Sequence, residues 1–207
     1  MTYKERIKMN ASTAWVAVLF CCAIANAQKP AALDRIELAF SYSAAFAGQP
    51  AGTPSFWLNG GNAEVASKIY RDCGLALNIT GLHTGSTGAG VPLNLLIATI
   101  GPRYTWTLKK PSKGRPSVSL FAEGLVGAAH GFNSLFPGQP AAVTSATSFA
   151  AQLGGGVDVA ISPRLRLRAL DASWLNTQLP NGARNIQNDI QLGAGVIFQL
   201  SKKNHLQ

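Results

Sequence analysis

The ionisable residues of this chain are spaced singly among apolar ones, so that folding could bring opposite charges together. Glu37, Glu64, Lys68, Arg103, Glu123, Asp158, Arg166 and Arg168, with Asp171 and Asp189, make up this set. Carboxylates and guanidiniums held face to face form charge-assisted hydrogen bonds, and carboxylates in unlike surroundings can divide acid and base work. Nucleophilic chemistry is the other possibility. His83 precedes Thr84-Gly85-Ser86 and His130 precedes Gly131-Phe132-Asn133-Ser134, placing an imidazole near hydroxyls in each case. A nucleophile and base also need an orienting acid that meets them in space. The sequence offers no convincing acid on the same face, and neither spacing reproduces His-x-Ser-Asn. His83, His130 and His205 are scattered, with no Cys or His pair at metal-ligand spacing. Gly154-Gly155-Gly156 lacks a following Lys-Ser/Thr and precedes no helix, so it is not a phosphate loop. Asn78-Ile79-Thr80 matches a glycosylation sequon but sits mid-strand. No catalytic residue, metal site or cofactor is assigned on this basis.

The elements that must position these charges are strands. Gln191-Leu-Gly-Ala-Gly-Val-Ile-Phe198 alternates Leu192, Ala194, Val196, Phe198 and Leu200 with Gln191, Gly193, Gly195 and Gln199, which gives one apolar face and one small or polar face. Similar segments recur upstream. Arg35 to Phe46 sets Ile36, Leu38, Phe40 and Tyr42 against Arg35, Glu37, Ser41 and Ser43. Phe56 to Tyr70 opposes Ala63, Val65 and Ile69 to Asn62, Glu64 and Lys68, with Gly60-Gly61 marking a bulge or bend. Leu75 to His83 follows, then Leu93 to Thr107, in which Pro102 cannot donate to a ladder and predicts an irregularity. Val118 to Ala129 carries Phe121 and Leu125 on its polar face as interior filler. Phe149 to Ile161 alternates cleanly. Leu165 to Leu175 slips phase and needs a bulge for Asp171 and Trp174 to suit opposite faces, and about Ile190 to Leu200 closes the set.

The amino terminus supplies Lys4, Arg6 and Lys8, an apolar run from Ala11 to Ala25, and Ala25-Asn26-Ala27 before Gln28, which is the pattern of an export signal over 1–27. That run is shorter than the roughly 20 residues a spanning helix needs. Bulky Phe20 before Cys21 and Cys22 argues against a lipidated cysteine. Residues 28–207 then form one barrel domain with short periplasmic termini, whose lone Cys73 cannot make an internal disulfide and reads as a small turn residue. The formal net charge of +9 is dispersed, and the one dense basic group, Lys109 to Arg115, has no interleaved aromatic platform, so no nucleic-acid partner is expected.

Long connections at Ala47–Ser55, Thr84–Pro92, His130–Ser148 and Asn176–Asp189 alternate with shorter ones at Arg71–Gly74, Lys109–Ser117 and Ser162–Arg164, as in a transmembrane barrel with its termini in the periplasm. Trp57, Phe149 and Trp174 fall at outer strand ends and Tyr70, Tyr104 and Trp106 at inner ends, forming two aromatic belts. Strands of about eleven residues, rising about 3.3 Å each and tilted about 45°, cover about 25 Å. The expected fold is all-β, an eight-stranded antiparallel up-and-down transmembrane β-barrel preceded by a signal peptide. Such a barrel is just wide enough for side chains to fill, so the charges are expected to pair inside it and leave no large pore. Centring the fourth hairpin on Lys113 pairs positions whose numbers sum to about 226, which puts Arg103 opposite Glu123.

With the export signal, the strand number, Gly101-Pro-Arg-Tyr104 and a final strand bearing Gln191, Gly193, Val196 and Phe198, the chain resembles the small eight-stranded outer-membrane β-barrel family that includes the OmpA transmembrane domain and OmpX. The resemblance implies a bacterial outer-membrane location, contact with outer-membrane lipid and lipopolysaccharide, and an assembly signal in the last strand read by the barrel-assembly machinery. It also implies a structural or surface-interaction role, with the loops open to an extracellular ligand. No peptidoglycan-binding segment follows the barrel in this sequence, so cell-wall anchoring is not expected. The alternatives are a lipid A-modifying enzyme using a rim histidine and a small-solute transport barrel.

Overall fold

In the computed structural model, residues 35–48, 54–109, 116–138, 141–182 and 185–201 are described; the export signal, Lys113 and the carboxyl-terminal tail lie outside them. The strands are β1 (Arg35–Ala47), β2 (Phe56–Tyr70), β3 (Cys73–Thr84), β4 (Leu93–Lys109), β5 (Val118–Phe136), β6 (Val143–Ala160), β7 (Leu165–Thr177) and β8 (Gln187–Ser201). Each pairs antiparallel with its sequence neighbour, and β8 closes on β1 from Ile36↔Leu200 to Ala47↔Asp189. Closure removes every free sheet edge along the paired length. It also explains the alternation: Phe40, Leu77, Ile100, Val126, Leu153 and Leu192 point outward and are exposed, whereas Ser41, Asn78, Thr99, Gln152 and Gln191 point inward and are buried.

The irregularities differ in detail from the sequence reading. Gly60-Gly61 produces no bulge, because β2 keeps register with β1 and β3 through both residues. At Gly101 and Pro102 the ladder to β5 is interrupted, yet pairs on either side, Ile100↔Val126 and Arg103↔Glu123, keep one register. The β7 slip lies between Arg168 and Asp171, which lets both side chains face inward. The turn between β2 and β3 is tighter than expected: Arg71 takes a positive φ of 50°, and Cys73 and Gly74 already belong to β3. The third outer connection is also much shorter, since β5 runs on to Phe136 and β6 begins at Val143. Gly131, Asn133 and Ser134 look like loop residues in sequence, but His130 and Phe132 continue the outward phase and pair with Thr147 and Ser145.

The interior has two chemically distinct parts. Leu58, Leu82, Leu95, Ile97, Leu175 and Phe136 cluster at the outer end, joined by Leu179 from the last outer connection. Charged side chains fill the part toward the opposite end. The interior is therefore not filled by paired charges alone; an apolar plug closes its outer half.

Candidate functional site

Glu64 on β2, Arg103 on β4, Glu123 on β5, Asp158 on β6 and Arg168 and Asp171 on β7 meet inside the barrel. Each is placed there by the inward phase of its strand. Arg168 is fully buried, with Nη2 donating to Glu64 Oε1 at 2.9 Å, Nη1 to Glu64 Oε2 at 3.2 Å and to Asp171 Oδ2 at 3.3 Å, and Nε to Asp158 Oδ1 at 3.3 Å. Arg103 donates to Glu64 Oε1 and, at 3.3 Å, to Asp158 Oδ2. The two guanidiniums also lie over the Phe121 ring, at 3.9 Å for Arg103 and 4.4 Å for Arg168, where cation–π attraction supplements the ion pairs. Leu125 is buried in the interior as well.

Arg103 and Glu123 are direct cross-strand partners. Their closest approach is 3.8 Å, however, and both Glu123 carboxylate oxygens lack a hydrogen bond among the described residues. Arg103 instead turns its nitrogens across the barrel to Glu64 and Asp158, which the closed interior brings nearer than adjacency on one hairpin could reveal.

Glu37 and Arg166 form a second pair, 3.3 Å apart, supported by Gln199 Nε2 donating to Glu37 at 3.0 Å and Arg166 Nη2 donating to Ser119 Oγ at 2.6 Å. Lys68 does not join either cluster. It stands half-exposed at the β2–β3 end, 3.9 Å from Asp72. Asp189 is buried at the outer end of β8, where its Oδ1 has no hydrogen-bond partner among the described residues. Between charges and plug lies a neutral polar layer, in which Asn62 Nδ2 donates to Asn78 Oδ1 at 2.8 Å and to Thr80 Oγ1 at 2.9 Å.

Both described rim histidines point outward. His83 Nδ1 lies 2.7 Å from Asn94 Oδ1, and His130 Nδ1 lies 2.8 Å from Thr147 Oγ1 while its ring stacks on Phe132. His130 and Thr147 thus supply a base and a hydroxyl, but among the described residues no carboxylate hydrogen-bonds either imidazole. No group of three or more His, Cys, Asp or Glu among those residues could hold a metal ion. Trp57, Phe149, Trp174, Tyr70 and Trp106 are exposed, and Tyr104 packs 4.3 Å from Trp106. In β8, Gln191 is buried and donates to Ser43 Oγ at 3.2 Å; Val196 and Phe198 face outward, with Phe198 edge-on to Phe40 at 6.5 Å.

No protein-family model matches this chain. No curated protein matches it either. Among solved structures it is similar to Ail, the attachment invasion locus protein of Yersinia pestis, with TM-score 0.55 and 17% identity over 82% of this chain and 100% of that one. Ail in complex with the heparin analogue sucrose octasulfate gives TM-score 0.52 and 16% identity over 80% of this chain and 98% of that one. Neisserial surface protein A gives TM-score 0.52 and 19% identity, covering 79% and 96%. These are small eight-stranded outer-membrane β-barrels, and this chain has their fold.

Proposed function

We propose that the chain is a structural and surface-interaction barrel of the bacterial outer membrane, working through its outer loops around a sealed interior. The carrying observation is the closed barrel with a predominantly apolar exterior, plugged inside by the leucine cluster and the charge network. Outside the gap at Gly101–Pro102 and the β7 slip, the described strands pair their backbone groups within the barrel, as hydrocarbon requires. The sealed interior disfavours the solute-transport alternative, and among the described residues no carboxylate orients His83 or His130, which disfavours lipid A hydrolysis. An unchanged lipid A mass spectrum on expression is expected; a newly deacylated species would overturn the non-enzymatic reading.

Charge is distributed unevenly between the two ends. By sequence, the connections after β1, β3, β5 and β7 contain a single Lys or Arg, Arg184, while the segments joining β2 to β3, β4 to β5 and β6 to β7 hold Arg71, Lys110, Lys113, Arg115 and Arg164. The heparin analogue bound by Ail is a polyanion, for which these nearly uncharged outer connections are poorly suited. They favour a neutral polar or saccharide surface.

Orientation is tested by cysteine labelling of intact cells in a Cys73→Ser background. Ser86→Cys and Ser134→Cys should react with an impermeant maleimide, while Ser162→Cys should react only after the envelope is opened. Labelling of position 162 alone on intact cells would invert the topology. Assembly gives a second prediction: Phe198→Ala should slow insertion into outer membrane several-fold more than truncation after Leu200, because it removes an outward aromatic in contact with β1. Equal insertion of Phe198→Ala and the parent chain would remove Phe198 from the assembly signal.

A further inference from the structure

Two outward glycines on β2 and β3 interrupt the apolar exterior. Gly61 and Gly81 are direct cross-strand partners, flanked along the same row by Tyr42 on β1 and Leu96 on β4. Ala63 and Ile79 form the next row on one side, and Asn59 and His83 the next row on the other. With no side chain on Gly61, a shallow, open trough of about 500 Å³ lies along Phe40, Tyr42, Gly61, Ala63 and Ile79. A second hollow of about 230 Å³ lies beside it, bounded by Gly81, His83, Asn94, Leu96 and Phe132. Space above Gly81 is open, with no atom within 4 Å of where a Cβ would sit.

The polar row that bounds the second hollow has defined hydrogen-bonding character. Tyr42 Oη donates to Asn59 Oδ1 at 2.7 Å, which leaves the Asn59 amide hydrogens directed to other acceptors. The Asn94 carbonyl faces His83 Nδ1 at 2.7 Å, so in the neutral ring Nδ1 carries the proton and Nε2 is an acceptor. The row therefore offers amide donors and an imidazole acceptor at the boundary of the apolar surface. A glycerol ester presents only acceptors where its acyl chains begin. An acylated amino sugar presents amide N–H and hydroxyl donors there as well.

We propose that the trough and the hollow beside it together bind one acylated amino-sugar lipid of the outer leaflet, of the lipid A class, with an acyl chain lying over Gly61 and Gly81 and its chain-proximal amide and hydroxyl groups bonded to Asn59, His83 and Asn94. The site rests on the outer-membrane reading given above. It is built from what a lipid needs at this depth, an apolar groove the width of a missing side chain and mixed donors and acceptors directly at its head.

The test uses the purified barrel refolded in detergent micelles and native mass spectrometry, with hexa-acyl lipid A and phosphatidylglycerol as probes. The parent protein should retain lipid A as a discrete adduct in preference to phosphatidylglycerol. Gly81→Phe, which fills the hollow over Gly81, should lower lipid A retention by about tenfold through lost chain contact. Leu153→Phe, on the exposed face of β6, should leave it unchanged, and His83→Leu should reduce the preference for lipid A over phosphatidylglycerol. Equal retention by Gly81→Phe and the parent, equal retention of the two lipids by the parent, or a protein dimer in place of the lipid adduct overturns the site. A chain that does not enter lipid vesicles at all overturns the membrane reading and the site with it.

Discussion

Arg168→Ala should lower the unfolding free energy of the refolded barrel by about 3–5 kcal/mol, the range for stripping one partner from a buried ion-pair network. Arg168 is 0% exposed and holds Glu64, Asp158 and Asp171 together while lying over Phe121. Its removal leaves those carboxylates to share Arg103. Arg168→Lys should recover little, because one ammonium cannot reproduce a planar fork that reaches three carboxylates from different nitrogens. Glu123→Gln should behave differently. The central cluster sets four carboxylates, Glu64, Glu123, Asp158 and Asp171, against two guanidiniums, and the oxygens of Glu123 accept no hydrogen bond among the described residues. Replacing its carboxyl by an amide should therefore be nearly neutral in stability. Urea titration in lipid vesicles measures both effects, and a double-mutant cycle should give stronger coupling for Arg168 with Glu64 than for Arg103 with Glu123. A Glu123→Gln loss as large as that of Arg168→Ala would reverse this ranking.

Gly156→Val should cost about 3 kcal/mol and sharply reduce the yield of folded barrel, since overpacking a filled interior forces side chains and backbone to move. A Cβ at Gly156 would stand 2.1 Å from the Leu170 carbonyl oxygen and 2.6 Å from Phe121 Cε1. Neither neighbour can give way easily. Leu170 lies within the β7 register shift that turns Arg168 and Asp171 inward together, and Phe121 is the ring beneath both guanidiniums. A bulky residue at position 156 would thus displace the charge network as well as the backbone. Gly124→Ala is the contrasting case, because the nearest atom to its Cβ would be Leu153 Cδ1 at 3.8 Å, an ordinary contact. Equal unfolding midpoints for Gly156→Val and Gly124→Ala would show that the interior relaxes around the added side chain.

The strands, their number and the β4–β5 register were legible in the sequence, because each depends on a local regularity. A period of two selects outward and inward faces, and the length of a connection limits how its flanking strands can pair. Arg103 thus falls opposite Glu123 from chain arithmetic alone. The export-signal pattern over 1–27 was likewise a property of sequence, although those residues lie outside the described structure. Partner choice inside the barrel was not legible. Arg103 bonds Glu64, 39 positions away, and Arg168 bonds the same carboxylate from 104 positions away, because closure places inward side chains of non-adjacent strands across a narrow interior. The outer plug escaped for a related reason. Leu95, Leu96 and Ile97 are consecutive apolar residues, and where both faces are apolar the alternation that separates membrane from interior disappears. Only the closed sheet decides that Leu95 and Ile97 seal the inside while Leu96 faces out. Sequence periodicity assigns a side chain to a face, whereas curvature of the whole barrel determines which side chains sharing that face meet.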